Sequence, residues 1–173
     1  MTAPVLVFGY GNPSGGDDAL GPALLERIEA LRGRHADWPQ LELLTDFQLQ
    51  VEHALDLEGR ARVLFVDASA GGEAPFSCER ISPGEDWACT SHSMSPSGLL
   101  AVYERITATA APASFVVAIR GESFDLGEPM SAAAVRNLGC AVSFVERLLA
   151  SDDAEEWQAW CTTANPALRS ADQ

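Results

Sequence analysis

The segment Gly9-Tyr10-Gly11-Asn12-Pro13-Ser14-Gly15-Gly16-Asp17-Asp18-Ala19-Leu20-Gly21 joins two runs of different character. Before it, Val5-Leu6-Val7-Phe8 is continuously apolar, as a parallel strand buried on both faces is. After it, Leu20, Leu24, Leu25, Ile28 and Leu31 recur at helical spacing. A glycine-rich loop therefore leads from a first strand to a first helix, at the strand's carboxyl end, where open α/β sheets bind ligands. A dinucleotide loop is the obvious candidate, and it fails twice. Its fingerprint Gly-x-Gly-x-x-Gly needs a third glycine where this chain has Ser14. A pyrophosphate seated on the helix N-terminus would also meet the carboxylates of Asp17 and Asp18. Two adjacent acids there either cap the helix and face its dipole or attract a cation.

Outward from this segment, strands and helices alternate. The first helix is expected over about Asp18 to Arg34, and Pro39 breaks the chain before a strand over Leu41 to Thr45. Asp46-Phe47-Gln48 opens a loop, and Val51, Ala54, Leu55 and Leu57 suggest a short helix closed by Gly59. Val63-Leu64-Phe65-Val66 is a central strand ending in Asp67. Phe76 to Ile81 alternates like an antiparallel edge strand, and residues 82–98 form a long polar loop. A helix over Leu99 to Ile106, a strand over Phe115 to Ile119 and a helix over Ser131 to Leu149 follow. The last helix has Val135, Leu138, Val142, Val145 and Leu149 on one face. The order predicts an α/β three-layer sandwich: a mainly parallel twisted sheet of about five strands with helices on both faces. Residues 1–150 read as one domain. Residues 151–173 read as an acidic, polar tail, loosely ordered or docked through Trp157 and Trp160.

A chain of 173 residues can bury an ample core. The net charge is -14 and every basic residue is arginine, with no basic stripe, so a nucleic-acid partner is not expected. No run approaches the ~20 apolar residues of a membrane span. Met1-Thr2-Ala3-Pro4 leads straight into a strand without a signal peptide, so a cytoplasmic location is expected. The four cysteines, Cys78, Cys89, Cys140 and Cys161, make no CxxC pair and read mostly as buried thiols, with a Cys78–Cys89 zinc pair as the alternative.

Several positions carry chemistry on their own account. Asp67 ends a strand buried on both faces, where a carboxylate is costly unless paired or bound to a cation; otherwise it caps the following turn. Of three histidines, His35 ends the first helix, His53 reads as a surface residue of the short helix, and His92 lies in the long polar loop. Ser91 and Ser93 flank His92, but a triad is assembled in space rather than from sequence neighbours. There is no Gly-x-Ser-x-Gly elbow and no His-Glu-x-x-His helix.

Gly9-x-Gly11-Asn12 followed by Asp17-Asp18-x-x-Gly21 resembles the opening motif of the [NiFe]-hydrogenase maturation proteases. These endopeptidases remove the C-terminal extension of the hydrogenase large-subunit precursor once its nickel is in place. The resemblance covers roughly residues 4–150 and implies the same fold. It also implies three metal ligands, Asp18, Asp67 and His92. Two carboxylates and an imidazole suit nickel or a similar divalent ion, with positions left open for the substrate. The nickel is expected to arrive with the precursor and to be read as the sign of loading.

Catalytic roles would fall to Asp18 and Asp46. Either a metal-bound water attacks the peptide bond, or the metal positions the substrate while one of these carboxylates acts as base. Many family members follow the Asp46 position with Gly-Gly. This chain has Phe47-Gln48-Leu49-Gln50-Val51-Glu52 instead, similar to the group serving cytoplasmic NAD-linked hydrogenases. Asn12, Gln48 and Glu52 are the expected substrate-binding residues. The alternative reading is a non-catalytic nickel-binding maturation chaperone using the same three ligands.

Overall fold

A computed structural model describes residues 1–84 and 94–165. His92 lies outside the described residues, as do Cys89, Ser91 and Ser93. The elements are β1 (Val5–Tyr10), α1 (Leu20–Arg32), β2 (Leu41–Asp46), β3 (Arg62–Ser69), β4 (Phe76–Ile81), α2 (Pro96–Thr107), β5 (Ala113–Arg120), α3 (Ala132–Leu149) and α4 (Ala154–Ala164), with 3-10 helices at Gly16–Ala19 and Val51–Leu57.

The sheet order is β2-β1-β3-β5-β4. All pairings are parallel except β4 with β5, which is antiparallel and lies at the edge. Side chains alternate across the sheet with period two. Val5, Val7, Leu64 and Val66 pack with α1, α3 and α4, whereas Leu6, Phe8, Val63 and Phe65 pack with α2 and the 3-10 helix Val51–Leu57. The chain is thus an α/β three-layer sandwich with helices on both faces. From β1 it crosses to β2 on one side, and β3 then returns to the other side of β1. The carboxyl ends of β1 and β3 therefore flank a topological switch point, where such sheets open a crevice.

Local geometry departs from the expected pattern in places. The first helix begins at Leu20, because Gly16–Ala19 winds more tightly as a 3-10 turn. The short second helix is also 3-10, which sets Ala54 and Leu57, three residues apart, on one face. Ala54 and Leu57 are buried, while Val51 and Leu55 turn outward. On α3 the buried stripe starts at Ala134, one position before Val135, which is exposed.

The cysteine reading needs correction. Cys78 on β4 and Cys161 on α4 form a disulfide. That removes Cys78 from any zinc pair, and Cys140 is an exposed free thiol. Beyond residue 150, α4 packs along β4 with Trp157 fully buried. The Trp157 indole N–H donates to the Ser151 carbonyl at 3.2 Å, and the Arg62 guanidinium lies 5.0 Å from its ring centroid. Among the described residues no helix is long and apolar enough to cross a membrane.

Candidate active site

Three neighbouring strands end in polar side chains on the α2 face. Register pairs Asp46 of β2 with Tyr10 of β1, and Gly9 with Val66, so Asp67 of β3 follows beside Tyr10. Asp18 reaches this row from the other side because the Gly9–Gly21 loop folds tightly over the strand ends. Gly11 holds φ +143°, and a Cβ there would fall 2.0 Å from the Asp18 carbonyl oxygen. A Cβ on Gly21 would lie 2.6 Å from the Tyr10 carbonyl and 2.7 Å from that of Val66. These glycines give α1 close access to the sheet rather than making room for a phosphate.

The two adjacent acids divide their work, and neither caps the helix. Asp17 is fully buried. Its Oδ2 accepts from the N–H groups of Glu122 (2.7 Å) and Ser123 (3.0 Å) and from the Ser131 hydroxyl (2.7 Å), and its Oδ1 accepts from the Ser131 N–H (2.7 Å). Burial alone would raise its pKa, but these donors outweigh it and hold the carboxyl below the ordinary range. Asp17 thus staples the β5–α3 connection to the glycine loop. Asp18 is half-buried, and its Oδ2 accepts from the Asn12 N–H at 2.7 Å.

Asp18 and Asp67 line one cleft of about 450 Å³, together with Tyr10, Gln48 and residues Met94–Pro96 at the start of α2. Burial pushes the Asp67 carboxyl up to about 6. The Ala68 N–H, at 2.8 Å, and the Tyr10 hydroxyl oppose that rise, and the charge of Asp18 adds to it. The Tyr10 phenol is itself pushed far up, by burial first and then by the charge of Asp67. Two carboxylates facing one cleft, one of them costly to ionise, form a site that a divalent cation would relieve. Oxygen donors from separate loops leave coordination positions open.

The other expected residues fall as follows. Gln48 lines the same cleft, and Met94–Pro96, which follow His92 in sequence, do too. Among the described residues no group of three potential metal ligands is assembled. Asp46 borders an adjoining cleft of about 320 Å³ that shares Gly11 and Phe47 with the first. Asn12 serves the loop: its Oδ1 accepts from the Ser14 N–H at 2.9 Å. Glu52 is exposed on the 3-10 helix and is not among the residues lining either cleft.

Sequence reasoning missed Tyr10, whose hydroxyl donates to Asp67. The available signal was a tyrosine as the last residue of a buried strand whose neighbours end in acids. His53 is likewise not a plain surface residue. Its side chain is 16% exposed, with Nε2 3.2 Å from Asp46 Oδ2.

No protein-family model and no curated protein sequence matches the chain. Solved structures do. The chain is similar to the [NiFe] hydrogenase maturation protease HycI from Thermococcus kodakarensis, with TM-score 0.62 and 18% identity over 86% of this chain and 94% of that one. It is similar to the hydrogenase maturating endopeptidase HybD from E. coli, with TM-score 0.65 and 22% identity over 84% and 91%. A hydrogenase 2 maturation peptidase from a Thaumarchaeota archaeon gives TM-score 0.57 and 20% identity over 84% and 97%. At these identities the likeness establishes a shared fold across nearly the whole of each neighbour.

Proposed function

We propose that the chain is an endopeptidase that removes the C-terminal extension of a nickel-loaded [NiFe]-hydrogenase large-subunit precursor. The observation that carries this reading is the convergence of Asp18 and Asp67 on one cleft, within a fold shared by solved maturation endopeptidases. Asp18, Asp67 and His92 would complete the coordination of a nickel ion that enters as part of the substrate. With only oxygen and imidazole donors, such a site holds nickel weakly by itself and depends on the precursor's own ligands for the remainder. Gln48, on the cleft wall, would meet the precursor chain, whereas Asn12 and Glu52, which line neither cleft, would meet it only outside the clefts. Asp18 or Asp46 would take the proton from the attacking water. The reading places the protein in the cytoplasm, as the sequence leads one to expect.

The test incubates the purified protein with nickel-loaded precursor and follows the large subunit by mass spectrometry. Loss of a C-terminal peptide is expected. Stable binding without shortening would replace the peptidase by the nickel-binding chaperone, and no interaction at all would overturn both.

A further inference from the structure

Asp46 is held by two donors, and one of them is a histidine. Its Oδ1 accepts from the Phe47 N–H at 2.6 Å. Its Oδ2 lies 3.2 Å from Nε2 of His53. On the opposite side of the imidazole, Nδ1 accepts from the Gln50 N–H at 2.9 Å. A backbone N–H can only donate, so Nδ1 carries no proton and the ring hydrogen sits on Nε2, directed at Asp46. The ring is further fixed by an edge contact with Phe8, at 4.7 Å between centroids and 67° between planes. Phe8 is buried at 1% exposure, so the imidazole rests on the rigid core.

We propose that His53 is a positioning residue for Asp46, locking that carboxylate toward the cleft formed by Gly11, Pro13, Thr45 and Phe47. This inference rests on the peptidase reading above. Held at both oxygens, Asp46 cannot rotate about its terminal bond, and each oxygen keeps acceptor capacity for a substrate or water proton. The wall shared through Gly11 and Phe47 sets this carboxylate beside the cleft of Asp18 and Asp67. The proton acceptor and the candidate metal carboxylates are then separate groups with separate supports. A base misplaced by about 1 Å loses roughly 100-fold in rate, so a fixed Asp46 has kinetic value.

The test uses the full chain and nickel-loaded precursor. His53→Phe keeps the ring against Phe8 and deletes the donor. It is expected to lower kcat about 10- to 100-fold with KM within about twofold, because substrate binding does not use the imidazole. His53→Gln restores a donor near the Nε2 position and is expected to recover most of the rate. Asp46→Asn added to His53→Phe is expected to cost little beyond Asp46→Asn alone, since both act through one group. Cleavage by His53→Phe at the wild-type rate, or losses that multiply, would overturn the proposal. If the wild type leaves the precursor uncut, the peptidase reading falls instead. Nitrogen-15 NMR of the wild-type imidazole then decides the His53 contact independently: an Nε2–H tautomer that changes on Asp46→Asn supports it, and an Nδ1–H tautomer overturns it.

Discussion

Asp17 and Asp67 are carboxylates whose environments act in opposite directions on stability. Asp17 is held below the ordinary carboxyl range, so its unfolded form binds a proton first as pH falls. Its contribution is therefore complete above about pH 4 and is lost as pH drops through its lower folded value. Asp17→Ala strands three backbone N–H groups and a hydroxyl, and should cost about 3 kcal/mol at pH 7, lowering Tm by roughly 6–12 °C. Urea unfolding at a series of pH values from neutral to acid should show a smaller acid-induced loss in Asp17→Asn than in the wild type. Asp67 has the reverse sign. With its carboxyl raised to about 6, the folded form binds more protons between roughly pH 4 and 6, so stability falls as pH rises through that window. Asp67→Asn should therefore raise Tm at pH 7.5 in metal-free buffer while abolishing processing. A melt unchanged or lower would show that Asp67 carries no such strain. Asp18→Ala should stop cleavage with Tm nearly unchanged, because the loop loses one bond from Asn12, worth about 1 kcal/mol. That Asp18 and Asp67 stand near the carboxyl ends of neighbouring strands was legible because each follows an apolar strand run in the sequence. Asp17's partners were not, since Glu122, Ser123 and Ser131 lie more than a hundred residues away and only the fold brings them near.

At the scale of elements, legibility follows from how much apolar signal each one carries. β1, β3 and β5 sit in the middle of the sheet, so both faces are covered and their sequences are continuously apolar. The alternation of β4 gave its edge position. By contrast, α4 hides behind Glu155, Glu156 and Gln158, and its core contribution is concentrated in Trp157 and the Cys161 bridge. Trp157 packs on Phe115 of β5 with centroids 5.3 Å apart, so the last helix covers the β5–β4 side of the sheet. Trp157→Ala should destabilise by about 3–5 kcal/mol, measured by chemical unfolding. A loss below about 1 kcal/mol would mean that α4 is dispensable to the core. Of the apolar residues that suggested the short helix, only Ala54 and Leu57 reach the core, while Val51 and Leu55 are exposed. His53 was not legible as a partly buried residue because its partners, Asp46 and Phe8, come from β2 and β1 and are brought to it by the fold.

For the whole molecule, the order β2-β1-β3 gathers the candidate chemistry. Asp46 and Tyr10 end β2 and β1, Asp67 lies beside Tyr10 near the end of β3, and Asp18, in the 3-10 turn before α1, lines the same cleft as Tyr10 and Asp67. Sequence spacing indicated which loops carry acids; the crossing of the chain at the switch point decides that these loops meet. On the proposed reading, this crevice recognises nickel already held by a precursor. The most direct measurement of this presents the purified protein with two preparations of one large-subunit precursor, nickel-loaded and nickel-free, and follows the mass of the large subunit over time. Only the loaded form should be shortened, and adding nickel to the protease alone should not rescue cleavage of the empty form. Equal cleavage of both forms would contradict this reading.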